Sequence, residues 1–183
     1  MQGRRTLSSL CVLLLAAGTL ATAGCGRAPT SEVTNRLWVS SVPTSPRQGT
    51  TAFAIVGTKG RNIGVLHEGS VYESRHRMFS WAARGDNAKL TLLQSNEAHQ
   101  IRLEKCKPSR GFDRCVMLHG DPSGAVRYQS RKRWALRGRR GKSAAAGAEA
   151  LSFEAIVAEL AAEDPELASM NALAPAAAAS TED

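Results

Sequence analysis

HQIRLEKCKPSRGFDRCVMLH, residues 99–119, is the stretch on which the fold turns. In an extended chain Ile101 and Leu103 fall on one side and Arg102 and Glu104 on the other; Phe112, Val116 and Leu118 repeat the pattern after a break. A period of two marks half-buried strands rather than helices. Arg110-Gly111 between them suits a two-residue hairpin turn, and that turn brings Cys106 directly opposite Cys115. Counted back from the turn, 109:112 is a hydrogen-bonded pair and 106:115 a non-hydrogen-bonded one, where side chains are closest. A disulfide can span such a pair. A four-residue turn would shift the register and leave the sulfurs diagonal.

Working outward, the same signals recur. Thr51–Gly57 (TAFAIVG) is apolar on both faces and suits a central strand. Ile63–His67 alternates, Val71–Ala82 reads as a long, mixed and bulged strand, and Arg84-Gly85-Asp86-Asn87 turns into Lys89–Gln94. Asp121-Pro122-Ser123-Gly124 has the proline and glycine positions of a type I turn. Val126–Leu136 alternates Val126, Tyr128, Trp134 and Leu136 with Arg127, Gln129, Arg131 and Arg133. With Arg36–Ser41 added, the count is seven to eight strands, and short connections imply a sequential antiparallel meander. The expected fold is mainly β, a small antiparallel barrel or a two-sheet sandwich; closure removes exposed edges. The tail changes period. Phe153, Ile156, Val157 and Leu160 follow helical spacing, and Asp164-Pro165 reads as an N-cap and first-turn proline opening a second short helix through Leu167 and Met170. The expected place of this apolar stripe is against the chain's own domain, with its acidic face beside the basic strip.

Charge is segregated. The 183 residues carry a net +8, yet residues 131–142 (RKRWALRGRRGK) hold seven basic and no acidic residues, and residues 143–183 hold eight acidic and no basic ones. The candidate basic surface is Arg131, Lys132, Arg133, Trp134, Arg137, Arg139, Arg140 and Lys142, suited to phosphates on lipid or to an acidic polymer, with the Trp134 ring able to sit at an interface or stack on arginine.

The N-terminus supplies the address. Arg4-Arg5, an apolar run over Leu10–Leu20 too short to span a bilayer, and small residues before Thr22-Ala23-Gly24-Cys25 make a secretory signal peptide. Arg4-Arg5 also fits a twin-arginine start. The Ala21-Thr22-Ala23-Gly24-Cys25 boundary resembles a bacterial lipoprotein signal, although Thr22 stands where leucine is common. The resemblance implies that residues 1–24 are removed and Cys25 carries the lipid, so that the protein is exported and held to a membrane, the outer one in a cell that has one, because Gly26 rather than Asp follows the cysteine. Cys11 then leaves with the signal, and Cys106 and Cys115 remain in an oxidising compartment, where a disulfide is the expected outcome. The organisation expected is a signal peptide (1–24), a lipidated tether and irregular lead-in (25–49), a β domain (50–138), a basic linker with amphipathic helices (139–173) and a disordered tail (174–183).

Catalytic and cofactor motifs are weak. Gly141-Lys142-Ser143 lacks the glycine that a P-loop needs at position 136, which is Leu136. His67, His76, His99 and His119 have no metal-ligand spacing, and no nucleophile elbow appears. Arg84-Gly85-Asp86 is more simply a turn than an integrin tripeptide. The expectation is therefore a lipid-anchored, non-catalytic envelope protein with no cofactor or metal, whose β domain binds a protein partner or an acidic envelope ligand; nucleic acid is not expected in that compartment. Two alternatives stand beside it. A small β-barrel inhibitor of a lytic enzyme or protease would present a protruding loop such as Lys107–Gly111, and a hydrolase with a dispersed site would join a Ser or Asp to a histidine in a deep pocket.

Overall fold

The computed structural model describes residues 29–45, 47–58, 61–70, 72–136 and 152–167. The signal peptide, Cys25, most of the basic linker and the tail 174–183 lie outside the described residues. Eight strands close an antiparallel barrel in chain order: β1 (Arg36–Val39), β2 (Thr50–Thr58), β3 (Arg61–Gly69), β4 (Ser74–Arg84), β5 (Asn87–Leu92), β6 (Ala98–Lys105), β7 (Arg114–His119) and β8 (Arg127–Ser130). A short helix α1 (Pro29–Val33) precedes them; a 3-10 turn (Lys132–Trp134) and a helix α2 (Phe153–Ala161) follow. The barrel, not the sandwich, is what forms. Its seam is narrow, with Val39 pairing Gln129, Ser130 Oγ donating to Leu37 O at 2.7 Å and Arg36 Nη1 donating to Arg131 O at 2.6 Å.

Strand alternation fills the interior. Trp38, Phe53, Ile55, Leu66, Phe79, Trp81, Ile101, Leu103, Val116, Leu118 and Tyr128 form one buried cluster. Eight strands leave a lumen only wide enough for side chains, and aromatic rings occupy it here. Gly64 is part of that packing. It faces Phe79 across the β3–β4 ladder, and a Cβ there would sit 2.2 Å from the ring and 2.8 Å from the Ala54 carbonyl oxygen.

The second apolar face of TAFAIVG has a separate cause. Ala52, Ala54 and Val56 of β2, with Leu37, Val39 and Val65, lie on the outer wall beneath Trp134, Leu136, Phe153, Ile156, Val157, Leu160 and Leu167. The helical stripe thus packs on its own barrel. Ser152 caps α2 by accepting from Ala155 N at 3.1 Å. Asp164 accepts from Glu166 N at 3.1 Å, and residues 165–167 are helical, the N-cap role expected for it; Met170 lies outside the described residues.

Three strand readings change. β4 keeps an unbroken register with β3 and β5, so it carries no bulge. Phe112 does not join the β7 face. It packs by Trp134 at 5.9 Å between ring centroids, outside β7, whose pairing with β8 begins at Arg114. The long strand Val126–Leu136 ends at Ser130. Its partner β1 has only four residues, so the chain leaves the ladder through the 3-10 turn, and Trp134 is carried to the outer wall instead of alternating on one face with Tyr128 in the lumen. The type I turn stands, with Gly124 N–H donating to Asp121 O at 3.1 Å.

Candidate binding site at the α1 end of the barrel

An up-and-down barrel sorts its connections by end. α1, the β2–β3, β4–β5 and β6–β7 connections and the chain leaving β8 share one end; the β1–β2, β3–β4, β5–β6 and β7–β8 connections share the other. α1 plugs its end. Val33 is buried in the interior cluster, its carbonyl accepts from Trp38 Nε1 at 3.0 Å, and Thr30 Oγ1 donates to Gly85 O at 2.5 Å.

The alternation that turns Trp38, Leu103 and Val116 inward also turns Arg36, Lys105 and Arg114 inward, at the last position of each strand on this end. They ring the mouth around Glu32 of α1. Lys105 Nζ lies 2.8 Å from Glu32 Oε1 and Arg114 Nη1 lies 3.3 Å from Oε2. Arg36 is buried, and burial, then Arg114, lowers its pKa to about 10 against the pull of Asp113 and Glu32. It therefore stays charged at neutral pH. Beside the mouth opens a cleft of about 440 Å³ lined by Glu32, Lys105, Pro108, Asp113, Arg114, Lys132 and the disulfide. Its cations outnumber its carboxylates, and guanidinium and ammonium groups held at a rigid rim suit phosphate or carboxylate.

The disulfide lines the cleft. Cys106 and Cys115 are bonded with Cα atoms 5.0 Å apart, opposite one another as the register required. The pair differs from expectation in one respect: Cys106 N–H donates to Cys115 O at 3.3 Å, so it is a hydrogen-bonded position. Residues 107–113 leave the ladder, which breaks the alternation counted from the turn. The arm Lys107–Gly111 lies along β8, with Ser109 N–H donating to Gln129 Oε1 at 2.6 Å and Arg127 Nη2 donating to Lys107 O at 2.7 Å. It is exposed but held to the wall.

The basic strip is divided by the fold. Arg131 and Trp134 are 7% and 0% exposed, so neither belongs to a surface. The Arg131 guanidinium lies 5.4 Å from the Phe112 ring centroid and 5.3 Å from that of Trp134, and it pairs with Asp164 at 3.2 Å and with Glu166. Asp164 is fully buried; it accepts from Trp134 Nε1 at 2.6 Å and meets Arg133 Nε at 2.7 Å. Asp164 and Glu166 of the acidic segment thus neutralise Arg131 and Arg133 of the strip. Burial disfavours the Asp164 carboxylate, yet the Trp134 hydrogen bond, the Glu166 N–H, Arg131 and Arg133 outweigh burial and hold its pKa below the usual range. Lys132 remains exposed at the cleft. Arg137, Arg139, Arg140 and Lys142 lie outside the described residues.

Sequence reasoning missed Arg36, Lys105 and Arg114. A signal was present, since Lys105 and Arg114 each directly precede a cysteine, which places them at the open end of a stapled hairpin.

The histidines assemble no catalytic set among the described residues. His67 Nδ1 lies 2.7 Å from His76 Nε2 on the facing strand, and His76 Nε2 is 3.2 Å from Glu154. His119 meets Glu104 at 3.2 Å; His99 Nε2 lies 3.3 Å from Glu97 at an angle that makes no hydrogen bond. Among the described residues no group of three or more His, Cys, Asp or Glu side chains is arranged to hold a metal ion, and no helix is long and apolar enough to cross a membrane. Neither a protein-family model, nor a curated protein, nor a solved structure matches the chain.

Proposed function

We propose that this protein is an exported, lipid-tethered, non-catalytic envelope barrel that binds an acidic ligand or partner at the cleft of its α1 end. The observation that carries the reading is the convergence of Lys105 and Arg114 from two strand ends, with Lys132, on a cleft that the disulfide also lines, beside the mouth that Arg36 edges. The filled lumen supports it from the other side, because aromatic rings occupy the space a small molecule would need. The inhibitor reading gains less, since the Lys107–Gly111 arm lies against β8 rather than standing out as a wedge. A hydrolase would need a Ser or Asp joined to a histidine, and the described histidines meet glutamates and one another.

Two measurements test the reading. Intact mass of the protein purified from membranes, with and without reduction, should show a chain beginning at Cys25 with added acyl mass and the mass of two hydrogens gained on reduction. Titration of the isotope-labelled protein with inorganic phosphate should shift the amide resonances of Lys105, Arg114 and Lys132, and the shifts should vanish in Lys105→Gln/Arg114→Gln. Shifts spread evenly over the barrel, or unchanged in the variant, would refute the cleft as the site.

A further inference from the structure

We propose that the α1 end of the barrel lies against the membrane and that its cations bind the phosphate headgroups of anionic phospholipid, an electrostatic hold beside the acyl anchor. The proposal rests on the lipid-tethered reading above and names the acidic ligand of that end.

The first argument is reach. Cys25 stands four residues before Pro29, and four residues span at most ~14 Å fully extended. α1 is fastened to one end by Thr30 on Gly85, by Glu32 on Lys105 and Arg114 and by Val33 in the core. A lipid on Cys25 therefore brings this end to the headgroups. The opposite end is a barrel height away, ~25 Å for strands of this length at the usual tilt. Charges are screened over ~8 Å at physiological salt, so only the near end senses the surface.

The second argument is that the ends differ in charge in the sense this arrangement requires. Among the described residues, the α1 end and its flanking arm carry Arg84, Lys105, Lys107, Arg110, Arg114 and Lys132 against Glu32, Asp86 and Asp113. The far end, with its strand ends counted likewise, carries Arg47, Arg75 and Arg127 against Glu68, Glu73, Glu97 and Asp121. The exposed large apolar side chains, Tyr72, Leu93 and Val126, also belong to the far end, so the surface turned to the lipid is the basic one and not the apolar one. A cationic surface beside the acyl anchor adds an electrostatic attraction to anionic headgroups and orients the barrel on them.

The experiment uses the full mature chain with Cys25→Ser, which removes the lipid and leaves the end. It is sedimented with vesicles of phosphatidylcholine alone and of phosphatidylcholine containing phosphatidylglycerol. Binding is expected to the anionic vesicles only and to be released by salt. Arg84→Gln, Lys107→Gln and Lys132→Gln remove exposed cations with no ion pair among the described residues; together they should weaken binding roughly a hundredfold, about fivefold per charge. Arg47→Gln with Arg75→Gln, at the far end, should leave it unchanged. Absence of a preference for anionic vesicles, or equal loss from the far-end pair, overturns the proposal. Wild-type protein from membranes that lacks acyl mass overturns instead the tether on which the proposal rests.

Discussion

Asp164→Asn should release the C-terminal segment while leaving the barrel folded. The aspartate is fully buried between Arg131, whose side chain is 9% exposed, and Arg133, which is 47% exposed. The asparagine keeps the shape and can still accept from Trp134, but it removes the charge. Losing one partner of a buried pair costs about 3–5 kcal/mol. Glu166 keeps its contact with Arg131 and Arg133 can turn to water, so the low end, ~3 kcal/mol, is expected, or roughly a hundredfold in the undocking equilibrium. The strain is relieved if residues 152–167 detach, which makes the loss local rather than global. Hydrogen exchange reads the difference: the amides of Ile156, Val157 and Leu160 should exchange about a hundred times faster while those of Ala54 and Leu66 keep their protection. Unchanged α2 exchange, or equal acceleration in the barrel, would refute the claim that Asp164 holds the segment. Adding Arg131→Met to Asp164→Asn should restore part of the loss, since it removes the uncompensated buried cation while the asparagine still accepts from Trp134.

Acid should loosen the same segment. Burial, then His76, lowers the His67 pKa to about 4 against the pull of Glu154, and its ring stacks on Phe153 at 4.5 Å; a depressed histidine pKa means that the unfolded chain binds the proton more readily, so stability falls as pH drops from ~6.5 to about 4. Asp164, with its lowered pKa, adds a further loss as pH falls through the carboxylate range. Melting temperature against pH should therefore flatten over the upper window in His67→Gln, and an unchanged slope would count against the assignment. Cys106→Ser with Cys115→Ser should lower stability by ~2.7 kcal/mol for a loop of this length, read from denaturant unfolding as a lower midpoint with an m-value no smaller than the wild type's, because the unfolded chain loses its cross-link. Gly64→Ala should cost about 1–3 kcal/mol by overpacking against Phe79, and Phe79→Leu in the same chain should recover part of it; full stability of the single variant would refute the close approach.

Much of the barrel is legible because its information is local. Alternation in Ile101–Leu103 and Val116–Leu118 reports which face is buried, and short turns leave sequential pairing as the simplest topology. That Cys106 faces Cys115 is legible for the same reason, and Phe112 N–H to Ser109 O at 3.0 Å closes the turn at Arg110-Gly111; the hydrogen-bonded character of the pair is not, because residues 107–113 leave the ladder between them. The helical stripe Phe153–Leu160 is equally local. The errors lie where distant segments compete. Arg131 and Trp134 read as the centre of a basic surface because seven cations with no acid look solvated, and nothing near them in sequence says that Asp164 will neutralise one and accept from the other. The end of β8 was hidden likewise, since strand length depends on the partner and β1 has four residues to offer.

The sequence by itself determined the class, the alternating faces of most strands, the stapled hairpin and the amphipathic tail, because each rests on residue spacing within a dozen positions. Only the tertiary structure decided between barrel and sandwich, since closure depends on β1 meeting β8 across ninety residues, as Val39 meets Gln129. It also decided what covers the outer face of β2, which charges of the basic strip reach water, and that Arg36, Lys105 and Arg114 share one mouth. Those outcomes depend on which strand ends lie on the same side of a closed sheet, and no local pattern encodes that.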